Sequence, residues 1–208
     1  PFDDASYPPS LLNIYDPPVL LYAAGDVSLL QNELSFCIVG SRHPSEYGIT
    51  AASAVSSQLA QCGVTIVSGL AVGIDSAAHK GALRVRGKTI GVAGCGLAVD
   101  YPSGNKALRK EILNKGLIIS EFPLDMNALA GNFPQRNRIL SGLSLGVAVM
   151  EAGARSGALI TARYAREQNK DVFALPGNIT NPNSGGTNEL IADGAEVLLS
   201  AEAVLTEY

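Results

Sequence analysis

Short apolar runs alternate with longer amphipathic segments along most of the chain. The apolar runs are nearly continuous rather than alternating, which is typical of strands that are covered on both faces. We therefore predict seven strands, at Val19–Ala23, Phe36–Val39, Thr65–Ser68, Thr89–Ala93, Leu117–Ser120, Leu145–Met150 and Asp171–Ala174.

The segments between these runs predict helices at Ser45–Cys62, Asp75–Arg86, Asn105–Lys115, Phe133–Leu143, Ala158–Gln168 and Thr187–Asp193. The first three begin at Ser, Asp or Asn and are followed by glycine, which favours N-caps and left-handed C-caps. Repeated β–α alternation predicts an α/β fold with a doubly wound, mostly parallel sheet flanked by helices. The proline-rich residues 1–25 are predicted to be a lead-in that adds a short strand to a domain of residues 26–208.

Composition narrows the class of protein. Hydrophobic residues make up 47% of the 208 positions, yet no apolar run approaches the ~20 residues of a membrane span. We expect no secretory signal. Three scattered cysteines without C-x-x-C spacing predict reduced thiols in a cytoplasmic protein. We also expect no bound metal and no cofactor. A net charge of −4 argues against a surface coated in basic residues.

Ligands of parallel sheets bind at the carboxyl ends of the strands, so the loops there are the candidate sites. Gly40-Ser41-Arg42 follows a strand and precedes a helix, where backbone N–H groups and an arginine suit a phosphate. The alternative is an ordinary tight turn with a surface arginine. Ser68 and Gly69 likewise begin a glycine-containing connection from a strand into a helix.

Asp75 and His79 stand four residues apart on the helix that follows this connection. They form either an acid–base pair or a helix cap with a structural hydrogen bond. The absence of a nearby nucleophile favours the second interpretation.

The densest polar chemistry lies at the start of the fourth predicted helix, at Phe133, Gln135, Arg136, Asn137 and Arg138. Arginine and asparagine suit phosphates and base edges, and an aromatic ring offers a stacking surface. The alternative is a solvated first turn with Phe133 as a hydrophobic staple. Arginine is unfavourable near the positive end of a helix unless an anion is present, which favours a ligand. We predict that the two arginines converge with Arg42 on one phosphate-binding pocket.

A further phosphate-compatible turn, Ser156-Gly157, follows the sixth predicted strand and leads into a helix that carries Thr161. For Glu151, just before it, the plain structural interpretation is a solvent-facing loop acid. Gly142–Gly146 has the letters of a nucleophile elbow, but it runs from helix into strand, so no catalytic residue is predicted. Gly94-Cys95-Gly96 is a poor dinucleotide fingerprint, although it leaves a phosphate-binding loop possible.

Taken together and in order, these loops resemble the DprA (Smf) DNA-processing family. The resemblance is carried by Gly40–Arg42, Ser68–Asp75 with Ala78-His79, Tyr101-Pro102, Ser120–Pro123, Phe133–Ile139, Ser156–Ala162, Pro176-Gly177 and Asn188–Ile191. It implies an extended Rossmann-like domain that binds single-stranded DNA, dimerises, protects incoming DNA and helps to load the recombinase RecA in natural transformation. The implied DNA-binding residues are Gly40, Ser41, Arg42, Ser68, Gly69, Phe133, Gln135, Arg136, Asn137, Arg138, Ser156, Gly157 and Thr161.

Two other functions stay open at this point. The family is distantly similar to nucleotide-hydrolysing enzymes of the lysine-decarboxylase-like group, whose glycine-rich motif is incomplete between Glu151 and Thr161. A nucleotide-sensing scaffold is the third possibility. We expect a binding protein rather than an enzyme, because kinship of fold alone does not establish chemistry.

Overall fold

A single eight-stranded sheet runs through the computed structural model, which describes residues 1–208. The strands lie in the order β1-β5-β4-β3-β2-β6-β7-β8, and all neighbours are parallel except β1 and β5. Their bounds are β1 Tyr22–Gly25, β2 Ser35–Val39, β3 Thr65–Ser68, β4 Thr89–Val92, β5 Leu117–Ser120, β6 Gly146–Val149, β7 Asp171–Ala174 and β8 Glu196–Val197. The predicted α/β class and the mostly parallel sheet are confirmed.

Eight α-helices surround the sheet: α1 Pro9–Leu12, α2 Glu46–Gln61, α3 Ile74–Arg84, α4 Lys106–Lys115, α5 Asn132–Gly142, α6 Gly157–Glu167, α7 Gly185–Ala192 and α8 Ala201–Leu205. The six predicted helices are present within two residues at each end. Helices α1 and α8 and strand β8 were not predicted, because helices of four or five residues are too short to show a helical period and β8 has only two residues. None of the helices combines the length and the hydropathy needed to span a bilayer.

The core lies on both faces of the sheet. The largest cluster of buried side chains includes Leu11, Ile139 and Ala162, a second includes Ile74 and Val204, and a smaller third includes Ile112. The central strands β2 to β6 bury every side chain between these layers, which explains their mostly apolar sequence. Strand order reverses between β2 and β6, so their carboxyl ends open the crevice in which such sheets bind ligands.

Several predicted helix caps differ from those observed. Ser45 accepts a bond from a backbone N–H of α2, and Gly63 has a φ of +86°, both as predicted. Asp75 does not cap its helix but lies within the first turn of α3. Gly116 is extended rather than left-handed. Glycine is needed there for space, because a Cβ would collide with the carbonyl of Thr89 on the neighbouring strand.

The lead-in contributes to the same core. Strand β1 pairs antiparallel with β5 and begins three residues later than the predicted run. Tyr7, Leu11 and Ile14 are buried in the cluster that covers one face of the sheet. The Tyr7 hydroxyl donates a hydrogen bond to the Pro18 carbonyl at 2.7 Å, which closes the lead-in on itself.

Candidate functional site

A cavity of about 700 Å³ opens at the carboxyl edge of the sheet, where the strand order reverses. The loops after β2 and β6 and the first turns of α5 and α6 form its walls. Nine of the predicted site residues line the cavity: Gly40, Ser41, Arg42, Phe133, Arg136, Asn137, Ser156, Gly157 and Thr161. Loops that are far apart in the chain therefore meet at one place, as the parallel topology requires.

Four predicted residues do not line this cavity. Ser68 is buried, and its hydroxyl donates to the Ile38 carbonyl at 2.6 Å, so it joins two strands. Gly69 lies beneath the cavity and its carbonyl accepts a bond from Arg136. Gln135 is exposed on the outer side of α5.

Arg138, the fourth, points to a different part of the molecule. Its Nη1 and Nη2 each lie 2.7 Å from a carboxylate oxygen of Glu121, and its Nε donates to the Asp16 carbonyl at 2.8 Å. The predicted convergence of three arginines is therefore wrong for Arg138. The spacing excludes a shared pocket for Arg136 and Arg138, since residues two apart on a helix lie on nearly opposite sides, but it does not say which of the two faces the cavity.

Arg136 lies at the cavity floor and is 4% exposed. Its Nη1 donates to the carbonyls of Gly69, at 2.8 Å, and of Val92, so it ties together the ends of β3 and β4. Its Nε lies 3.2 Å from the Asn137 side-chain oxygen. Most of this guanidinium is thus engaged with the protein, while its charge faces the cavity.

Arg42 is an exposed arginine of the cavity wall, and it lies against an aromatic pair. Its guanidinium carbon is 5.3 Å from the centre of the Phe133 ring, and the Tyr101 ring centre is 5.4 Å from that of Phe133. This distance suits a cation–π contact. Phe133 is half-buried, so it packs against its neighbours and still presents ring surface to the cavity.

Gly94 explains how the Phe133 ring fits. A Cβ at this position would lie 2.6 Å from an edge carbon of that ring. The Gly94-Cys95-Gly96 loop is thus packed against protein atoms at this point, and the phosphate-binding loop that the sequence left possible there is not favoured.

The opposite wall of the cavity is the N-terminus of α6. The Ser156 side chain accepts a bond from the Ala158 N–H, and Asn137 donates to the Gly157 carbonyl at 3.2 Å. A helix N-terminus favours an anion through its free N–H groups and its dipole. Exposed Arg155, which the site prediction missed, adds a positive charge beside this turn.

Glu151 is a second correction. The plain structural interpretation, a solvent-facing acid, is wrong: Glu151 is 1% exposed and accepts bonds from the Ser45 N–H at 2.7 Å and the Ser45 hydroxyl at 2.5 Å. A carboxylate at the N-terminus of α2 is favourable because it meets the positive end of the helix. Only the packing of β6 beside β2 brings the two residues together.

Asp75 and His79 do not form an acid–base pair. The buried His79 ring lies 2.7 Å from the Thr89 hydroxyl, and burial lowers the pKa of His79 to about 3. Asp75 lines the cavity, where its carboxylate accepts a bond from the Ala71 N–H at 3.2 Å. Burial raises the pKa of Asp75 to about 6, and the positive charge of Arg136 opposes that rise. The structural interpretation of this pair is favoured.

The low pKa of His79 predicts a specific loss of stability in acid. The unfolded chain binds a proton at His79 below about pH 6.5, whereas the folded protein does not until about pH 3. The stability due to His79 is therefore complete above pH 6.5 and is lost as the pH falls. Between about pH 7.5 and pH 5, we expect this residue to account for a loss of about 2 kcal/mol in the free energy of unfolding.

Urea denaturation of the wild type and of His79→Gln at both pH values isolates this effect. Asp75 acts in the opposite direction, since the folded state protonates it first, but that contribution is common to both proteins. We expect the stability difference between wild type and variant to shift by about 2 kcal/mol. A difference that is the same at both pH values would contradict the prediction.

Comparison with known proteins identifies the family. The family model for DNA recombination-mediator protein A matches residues 1–208. The chain belongs to this family, the DprA family. It is 48% identical to protein Smf of Escherichia coli over 99% of this chain and 55% of the relative. It is 46% identical to DNA processing protein DprA of Streptococcus pneumoniae over 99% of this chain and 72% of the relative. The chain spans about half the length of the Smf proteins of E. coli and Synechocystis.

Solved structures agree with the fold. The X-ray structure of DprA from S. pneumoniae superposes with a TM-score of 0.94 at 45% identity, covering 99% of this chain and 72% of the other. DprA from Helicobacter pylori, whose structure is described as showing a unique single-stranded DNA binding mode, gives 0.89 at 35% identity, covering 97% and 94%. The molybdenum cofactor carrier protein of Chlamydomonas reinhardtii shares the fold alone, with a TM-score of 0.56 at 18% identity over 85% of this chain and 96% of the other.

Proposed function

We propose that this chain binds single-stranded DNA in the cavity at the carboxyl edge of its sheet. One observation carries the proposal: an exposed arginine, an aromatic ring and a helix N-terminus line the same cavity. An arginine and a helix N-terminus each bind a phosphate, and a base stacks on an aromatic ring. The single-stranded DNA binding described for the H. pylori relative supports the same ligand class.

The two walls divide the recognition between them. Arg42, with the backbone of Gly40 and Ser41, binds one phosphate, and Ser156 and Gly157 at the start of α6 bind another. Phe133 offers its ring to an unstacked base, which a duplex does not present. Such contacts act on the backbone and on any base, so we expect little preference for sequence.

Binding of single-stranded DNA is favoured over hydrolysis of nucleotides. Glu151, the acid nearest to the incomplete glycine-rich motif, is fully engaged with Ser45 and does not face the cavity as a free base. His79 is buried and paired with Thr89. We therefore propose that residues 26–208, with residues 1–25 as a lead-in, bind DNA without covalent chemistry.

The family also supports a wider role for the whole protein. We propose that it acts in the cytoplasm during natural transformation and recombination, where it dimerises, protects incoming single strands and helps to load RecA. Family membership supports these partners, and the proposed DNA contact in the cavity is the step on which their role depends.

The test is a fluorescence anisotropy titration with labelled oligo(dT) and with a duplex, each at two salt concentrations. We expect clear preference for the single strand. Arg42→Ala should weaken binding about tenfold and reduce the salt slope by about 0.7, which is the loss of one phosphate contact. Arg86→Asn is the matched control, because it removes an exposed arginine with a positive φ at the opposite edge of the sheet.

Equal affinity for duplex and single strand would overturn the proposal, as would an equal loss from both variants. Incubation of the same protein with nucleoside monophosphates and triphosphates tests the enzymatic alternative. Release of free base or of inorganic phosphate, lost in Arg42→Ala, would favour a hydrolase instead.

A further inference from the structure

A carboxyl group lies on the floor of the cavity in which the proposed function places a phosphate. Asp75, near the start of α3, lines the cavity and is 6% exposed. Acidic groups repel phosphates, so a carboxylate in this position opposes the ligand unless its charge changes. Its surroundings show how that change is arranged.

Gly69 separates Asp75 from Arg136. A Cβ at Gly69 would lie 2.6 Å from Asp75 Oδ2 and 2.7 Å from Arg136 Nη2. The carboxylate and the guanidinium therefore both lie against the backbone of Gly69, which has no side chain to keep them apart. The two groups do not form an ion pair, and Nη2 donates to no protein acceptor, whereas Nε and Nη1 do. Nη2 of Arg136 is thus a donor that lies near Asp75 without a hydrogen bond to it.

Few other charges reach Asp75. Arg42, in the loop after β2, is the second cation that acts on it. From β2, Cys37 is a buried thiol whose pKa burial raises, so it is neutral. On α3 itself, His79 is also neutral, since its pKa is about 3. The charge state of Asp75 therefore decides whether the positive charge of Arg42 and Arg136 is partly neutralised by a carboxylate.

We propose that Asp75 sets the affinity of the cavity for a DNA phosphate through its own charge. Ionised, the carboxylate competes with the phosphate for Arg42 and Arg136. Protonated, it leaves both guanidinium groups to the strand, so binding at neutral pH takes up a proton from solution. This inference rests on the proposed function and assigns to that site a positioning residue that acts through the two arginines.

The direction of the pH dependence follows from linkage. In the protein without DNA, burial raises the pKa of Asp75 to about 6. A phosphate bound nearby raises this pKa further, because like charges disfavour ionisation. Affinity is therefore greatest below about pH 6 and falls as the pH rises towards 8. Over that range we expect about a tenfold loss, with at most one proton taken up per site.

The test uses oligo(dT) without a terminal phosphate, so that neither phosphodiesters nor bases titrate in this range. Anisotropy at constant ionic strength should show the tenfold loss for the wild type. Asp75→Asn, a neutral isostere, should bind with the same affinity at every pH and match the wild type near pH 6. Thermal melting checks that the variant is folded.

His43 is the exposed histidine of the chain and lies on the loop beside Arg42. His43→Gln is therefore the matched control and should retain the full pH dependence. Its backbone, rather than its ring, makes the hydrogen bonds to Ser41 and Asn183, so the loop is preserved.

Calorimetric titration of the wild type in two buffers of different ionisation enthalpy measures proton uptake directly, even if Asp75→Asn does not fold. Uptake near neutral pH supports the inference, provided that His43→Gln shows it too. A pH-independent wild type, a retained slope in Asp75→Asn, or its loss in His43→Gln would overturn it while leaving the proposed function standing. Absence of oligo(dT) binding at any pH would instead overturn both.

Discussion

Replacing Arg138 by alanine is expected to lower the free energy of unfolding by about 3 kcal/mol and to leave the affinity for single-stranded DNA within about twofold. The Arg138 side chain is 7% exposed and forms a two-pronged pair with Glu121, which is 11% exposed. Removing the arginine leaves a mostly buried carboxylate without its partner, which is the costly way to break such a pair. It also releases the Asp16 carbonyl, and with it a contact of the lead-in.

Guanidinium denaturation and oligo(dT) anisotropy on the same preparation measure both quantities. Arg163→Ala is the matched control, because Arg163 is 65% exposed and its pair with Glu167 is solvated at 3.6 Å. Exposed pairs contribute about 0–1 kcal/mol, so this variant should be nearly as stable as the wild type. Normal stability together with a large loss of affinity in Arg138→Ala would show that Arg138 binds DNA after all.

Phe133→Ala is expected to weaken binding of single-stranded DNA by about 1–3 kcal/mol, the usual value of one base stacked on an aromatic ring. The ring is half-buried and meets Arg42 and Tyr101, so its removal also loosens the arginine that contacts phosphate. The midpoint of thermal unfolding should change little, because the ring belongs to the cavity wall rather than to the buried clusters.

Affinity and melting temperature of Phe133→Ala should be compared with those of Phe2→Ala. Phe2 is 50% exposed at the start of the lead-in, and the same side-chain atoms are removed there. We expect unchanged affinity in that control. A large fall in the melting temperature of Phe133→Ala at unchanged affinity would instead establish Phe133 as a hydrophobic staple.

Binding of a polyanion by a chain of net charge −4 requires that positive potential be concentrated at one place. The cavity meets this requirement with Arg42, Arg155 and Arg136, together with the N-terminus of α6. Few phosphates are neutralised by so small a set. A shallow dependence of affinity on salt is the corresponding expectation for this domain.

The sequence by itself determined the α/β class and the positions of the longer elements. Continuous apolar runs such as Phe36–Val39 predicted strands covered on both sides, and amphipathic segments that start with a cap, such as the one after Ser45, predicted helices. These are local properties, because burial and capping act on neighbouring residues. Parallel topology then placed the loops after each strand at one edge, which located the cavity.

Only the tertiary structure decided where individual polar side chains point. Glu151 turns inward because β6 lies beside β2, which brings Ser45 within reach from more than 100 positions away in the chain. Arg138 turns away from the cavity because Glu121 follows β5 on the other side of α5. A charged side chain takes the direction in which its charge is compensated, and its partner is set by strand order, which no local pattern encodes.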